Sequence, residues 1–110
     1  MIFDKVGSTV TVVQENTTLM VFVQNLKKAY PNLCNDNLIV NLFSFDGLSP
    51  DDMLEFLQLS KDHRASGKSF VLVTDKVSYD DVPEDICLAP TLQEARDIIE
   101  LEEIERDLGL

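Results

Sequence analysis

The chain has no tryptophan, one histidine, two cysteines and only four glycines. Each shortage removes a class of function. A single histidine, His63, cannot build the histidine-rich cluster of a zinc hydrolase. Cys34 and Cys87 are too few and too far apart for a disulfide framework, and both are expected to stay reduced in a cytoplasm. So few glycines leave no Gly-rich phosphate loop. No apolar run approaches the ~20 residues that a membrane span needs, and the opening MIFDKVGS has no secretory pattern. Basic side chains are scarce as well, nine against twenty acidic ones, for a net charge of -11. That field repels a phosphate backbone and an anionic membrane surface alike, so neither nucleic acid nor membrane is an expected partner. Solubility accounts for most of the acidity. A basic protein partner is the functional use of the same field.

What is present describes a folded domain. Hydrophobic residues make up 45% of the chain, and a chain of this length buries roughly 65% of its unfolded surface. One domain over residues 1–110 is expected, with no repeat, low-complexity tract or linker. The organising stretch is Asn37 to Met53, NLIVNLFSFDGLSPDDM. Leu38, Ile39, Val40, Leu42, Phe43 and Phe45 form a nearly continuous apolar run, the pattern of a strand covered on both faces. Asp46-Gly47 permits a sharp turn. Ser49 then suits the cap of a helix, Pro50 its first position, and Asp51 and Asp52 its positive dipole end.

Residues 2–6 and 9–13 are β-type runs on either side of Gly7-Ser8, which predicts an antiparallel hairpin. Asn16, Thr17 or Thr18 caps a helix with Leu19, Met20, Val23, Leu26 and Tyr30 at helical spacing, stopped by Pro31. A second helix is expected from Pro50 to about Ser66, with Met53, Leu54, Leu57 and Ser60 or Lys61 inward, Phe56 and Leu59 flanking, and Gly67 ending it. SFVLVT (69–74) reads as a buried strand, Asp75 to Asp85 as a polar connector with one helical turn, and Ile86 to Ala89 as a short last strand. Thr91 and Glu94 fit a capping box for the final helix, along which Glu102 and Arg106 are spaced to pair. Ile98, Ile99, Leu101, Ile104 and Leu108 complete the core or, where they exceed what one sheet face covers, form a self-association surface. Strands separated by helices require right-handed parallel crossovers. The prediction is an α/β fold, a mixed and mostly parallel sheet with an N-terminal antiparallel hairpin and three to four helices.

This order, the strand–turn–helix at Asn37 to Ser66, SFVLVT after Gly67 and the ending ICLAPTLQEARDIIE together resemble the STAS domain, the fold of anti-sigma-factor antagonists and of the cytoplasmic tails of sulfate transporters. The resemblance covers nearly the whole chain, and its motifs are moderately specific. In that family an Asp-Ser-x-Gly-Leu turn carries a Ser or Thr that a partner kinase phosphorylates, switching which protein is bound. Here the turn reads Asp46-Gly47-Leu48-Ser49-Pro50-Asp51-Asp52. Counting back from Phe70 puts Ser49 near the family's Asp and acidic residues near its phosphorylated position. The resemblance therefore implies a regulatory module that binds a protein through Asp46, Gly47, Ser49, Asp51 and Asp52, with no cofactor, and a phosphoswitch whose spacing is altered. Homodimers are compatible with it.

Other chemistries fit less well. A receiver domain accepting phosphate on Asp46 needs an acidic pair after its first strand, and TVTVVQENTT offers only Glu15. Asp75, Asp80, Asp81, Glu84 and Asp85 lack the spacing of a calcium loop. His63 with Cys34 and Cys87 is a poor zinc set, and His63 as a general base has no visible nucleophile, so an exposed helix-end histidine is expected. The alternative from another class is an enzyme or accessory in RNA processing, under a ribonuclease Z label. That family resembles a metallo-β-lactamase and holds two zinc ions through an H-x-H-x-D-H cluster that this chain lacks.

Overall fold

Gly7, at φ 60°, turns the chain back on itself between β1 (Ile2–Val6) and β2 (Thr9–Val13). The two strands pair antiparallel in continuous register from Ile2↔Val13 to Val6↔Thr9. In this computed structural model, which describes residues 1–109, every later strand joins parallel to the one before it. β3 (Asn37–Asn41) pairs with β2, β4 (Phe70–Val73) with β3, and β5 (Leu88–Ala89) with β4. The sheet order is β1-β2-β3-β4-β5, so β3 is central and β1 is an antiparallel edge, as the hairpin pattern predicts.

The Thr18 side chain caps α1 (Leu19–Ala29) by accepting from the Val21 N–H at 3.2 Å. Pro31 lies in a 3₁₀ turn, Tyr30–Asn32, that ends it. After β3, α2 (Pro50–Met53) runs through a 3₁₀ turn (Leu54–Phe56) into α3 (Leu57–Ala65), and α4 (Leu92–Asp107) follows β5. The expected single helix from Pro50 is thus broken. A 3₁₀ turn has ~3.0 residues per turn rather than 3.6, which rotates the phase of the residues beyond it. Met53, Phe56, Leu59, Ser60 and His63 turn inward, while Leu54, expected inward, is exposed.

α1, α2 and α3 cover one face of the sheet, where Val10, Val12, Leu38, Val40, Phe70 and Leu72 meet Phe22, Leu26, Met53 and Phe56. α4 covers the other, packing Ala95 and Ile99 on Ile39, Val71, Val73 and Ala89. Each fully buried Leu or Phe contributes about 1.5–3 kcal/mol by leaving water. Along α1 the inward set is Leu19, Phe22, Val23 and Leu26, and Met20 is 72% exposed against expectation. Positions 19, 22, 23 and 26 are one stripe at helical spacing, from which position 20 is displaced by about 100°.

Beneath α4 the strands' amino ends hold a polar knot. Ser69, fully buried, donates its N–H to Asn37 Oδ1 at 2.9 Å and its hydroxyl to Glu102 Oε1 at 2.6 Å. Arg106 donates to Ser69 Oγ at 3.0 Å, and Arg64 pairs with the same Glu102. Glu102 and Arg106, expected to pair along the helix, instead both turn to Ser69 because burial makes its hydroxyl the more demanding partner. Outside, Leu101 and Ile104 on α4 and Leu108 just past its end remain exposed.

Candidate functional site

The carboxyl end of β3 leads into the turn that the sequence singles out. Leu42 continues the ladder by donating to the Val73 carbonyl at 2.9 Å, and the Phe45 N–H folds back onto the Leu42 carbonyl at 3.1 Å. The Phe45 ring is buried against Phe22, with centroids 5.5 Å apart, which anchors the turn in the core. Phe43, expected inside, is exposed instead. Its N–H is taken by the Asn41 side chain at 3.0 Å, and Ser44 reaches the Gln14 carbonyl at 2.7 Å, so the backbone has left strand geometry before Phe43 can enter the core. Gly47 then adopts φ 66°, a left-handed conformation that glycine tolerates without strain.

Ser49 closes a full capping box. Its Oγ accepts from the Asp52 N–H at 3.3 Å, and its own N–H donates to Asp52 Oδ2 at 2.9 Å. Asp46, Gly47 and Asp51 are exposed, and Asp52 is half-buried. Three of the five nominated residues are therefore exposed on or beside one turn, and the half-buried Ser49 and Asp52 brace it from within. A phosphate on Ser49 would displace the Oγ bond and set two more negative charges against Asp51 and Asp52, so this hydroxyl is a cap first.

Beside the turn lies a groove of about 250 Å³ between α1 and α2, lined by Leu19, Met20, Val23, Lys27, Asp52 and Glu55 among others. Its floor is apolar and its α2 rim acidic. Sequence reading missed Met20 and Leu54 as surface residues. The available signal was Phe22, which already completes the buried stripe of α1 and leaves Met20 surplus.

The remaining candidates are placed apart. His63 is fully buried, which overturns the exposed helix-end reading. One ring nitrogen, Nδ1, lies 2.7 Å from the Tyr30 hydroxyl and the other 2.7 Å from the Asp36 carbonyl. The carbonyl can only accept, so Nε2 carries the proton and Tyr30 donates to Nδ1. Burial, ahead of the lowering effect of Lys68 and Arg64, holds the imidazole below its ordinary value of 6.5 despite the Asp36 carbonyl. Cys34 contacts the Pro31 carbonyl at 3.4 Å, and burial raises the Cys87 thiol. Among the described residues, no group of three or more His, Cys, Asp or Glu side chains is placed to hold a metal ion, and no helix is long and apolar enough to cross a membrane.

No family model matches the chain, and no curated protein matches it. Solved structures do. A serine-to-glutamate variant of RsbS from Moorella thermoacetica superposes with a TM-score of 0.64 at 17% identity, over 89% of this chain and 92% of that one. The NMR structure of the protein TM1081 gives 0.63 at 16% identity, over 89% and 86%. Five strands with one antiparallel edge, helices on both faces and agreement over nearly nine-tenths of the residues give this chain a STAS-like fold.

Proposed function

We propose that the chain is a non-enzymatic regulatory module that works by binding another protein, with Asp46, Gly47, Ser49, Asp51 and Asp52 at the centre of its contact surface. The observation that carries this reading is the braced turn itself. Its acidic side chains project beside an apolar groove that the chain leaves uncovered. Exposed apolar residues rimmed by polar and charged groups, here Asp52 and Glu55 on one side and Lys27 on the other, are the ordinary composition of a recognition patch. RsbS is a STAS-domain anti-sigma-factor antagonist, and the shared fold supports a regulatory role here.

The partner that this surface favours is basic. At net charge -11 the chain attracts cationic partners over distances set by the Debye length, about 8 Å at physiological salt. Recognition would not await phosphorylation, because the turn already carries the acidic side chains of Asp51 and Asp52 and Ser49 is occupied as a cap. Affinity capture with the intact chain and with the Asp46→Lys, Asp51→Lys double variant tests the reading. A basic protein retained by the first and lost from the second is the expected result. Identical captured sets would overturn it.

A further inference from the structure

The two edges of the sheet are unlike. β1 is a five-residue strand bearing Asp4 and Lys5, and charged side chains on an edge discourage further strand pairing. β5 is a two-residue strand with no charged side chain; Pro90 follows it and the Ile86 N–H before it is taken by the Pro83 carbonyl at 3.0 Å, which leaves Leu88 as its outer edge. In its ladder with β4, the Cys87 carbonyl accepts from Leu72 at 2.9 Å and the Ala89 carbonyl from Thr74 at 3.0 Å. Alternate residues of a parallel strand face opposite neighbours, so the N–H and C=O of Leu88 point away from β4. Two cavities meet there. One, of about 190 Å³, is lined by Asp75, Val77, Tyr79, Leu88 and Pro90 among others. The second, of about 400 Å³, shares Tyr79 and Leu88 and continues past Val82, Pro83 and Ile86. Together they form one trough along the outer side of β5. Tyr79, 73% exposed, stands in its wall.

We propose that this trough is a second docking site, which takes an extended peptide of alternating basic and apolar residues as a sixth strand against Leu88. Main-chain pairing supplies the direction of the added strand, and the apolar side chains settle against Tyr79, Val82 and Leu88. Two residues of ladder are too few to hold a strand by themselves, so the tyrosine ring carries much of the contact. Charge selects the occupant. Asp80, Asp81 and Glu84 on the adjoining connector are exposed and make no ion pair among the described residues. A second copy of the chain could offer β1 as the added strand, but it brings another charge of -11 to an already acidic rim. A basic peptide meets one like charge, Arg64 in the lining of the second cavity, and that guanidinium is already paired with Glu102.

The probe is a capped heptapeptide of alternating lysine and valine, titrated into the isotope-labelled full chain while backbone amide resonances are followed. Saturable shifts centred on Leu88 and Tyr79 are expected. Tyr79→Ala, at an exposed position, should keep the folded spectrum and weaken binding at least fivefold. Of two peptides N-methylated on one or the other alternate set of residues, at least one should bind tenfold more weakly at unchanged charge. A glutamate–valine peptide should not bind. Shifts centred instead on Asp46 to Asp52, or both methylated peptides binding as tightly as the unmethylated one, would overturn the site as mere attraction of opposite charges. Either failure leaves the reading of the β3 turn untouched, because that surface is probed by different variants.

Discussion

Two side chains carry more of the fold than their types suggest. His63 joins α3 to the end of α1 through Tyr30 and to the start of β3 through Asp36, contacts that lie 33 and 27 residues away in sequence. That separation is why its burial is illegible locally: nothing between Leu57 and Ala65 announces a partner for it. Its neutral form is the one the fold selects. Because its folded value lies below 6.5, the unfolded chain takes up a proton first as pH falls. Stability from this site is therefore complete above about 6.5 and declines as pH falls below that toward the depressed folded value. Urea midpoints measured between pH 7 and 5 should fall for the native chain and fall less for His63→Phe. The variant itself should lose about 1–3 kcal/mol at pH 7, since it strands the Asp36 carbonyl and the Tyr30 hydroxyl. Ser49 is the second such residue, and its role was legible because the capping signal is contained within four positions. Ser49→Ala should cost about 0.5–2 kcal/mol in denaturant unfolding, whereas Ser49→Asp, a competent cap beside two like charges, should cost less.

Among the elements, legibility depends on the range over which each pattern acts. The hairpin at Gly7-Ser8 and the strand after Gly67 are local and stand where the sequence places them, and the helix cap falls on Thr18, one of three neighbouring residues that the sequence offers. The segment from Pro50 to Ala65 is the counterexample. Its composition suits a continuous helix, yet a 3₁₀ turn at Leu54–Phe56 interrupts it, with Phe56 buried beside Phe22, their centroids 6.4 Å apart. α4 shows both behaviours at once. Ile99 is buried on the sheet, while Leu101, Ile104 and Leu108 face outward. Ile99→Ala should therefore destabilise by about 2–5 kcal/mol, and Ile104→Lys by no more than about 0.5 kcal/mol in thermal or urea melts. If the outer stripe joins two copies, sedimentation equilibrium should show a dimer that Ile104→Lys dissolves. A strict monomer at all concentrations would remove that role for the stripe. The acidic turn after β3 was legible as a surface, but its apolar flank was only partly so: Met20 lies off the stripe that Phe22 completes, whereas the exposure of Phe43 and Leu54 depends on packing that no single periodicity encodes.

For the molecule as a whole, charge sets the background. A net charge of -11 on 110 residues repels itself in any compact state. Added salt should screen that repulsion, so the unfolding midpoint is expected to rise between 10 mM and 300 mM sodium chloride, with a Debye length falling from about 30 Å to below 8 Å. A midpoint that falls instead would mean that ion pairs such as Arg64–Glu102 outweigh the overall repulsion. The same balance bears on partners, since each basic molecule bound relieves part of the strain of like charges. The strand order has a consequence of another kind. Because β1 to β5 lie side by side in the order in which they are synthesised, no strand must wedge between two that have already joined. A chain emerging from a ribosome can lay each new strand against the last finished one, and growth proceeds outward in a single direction.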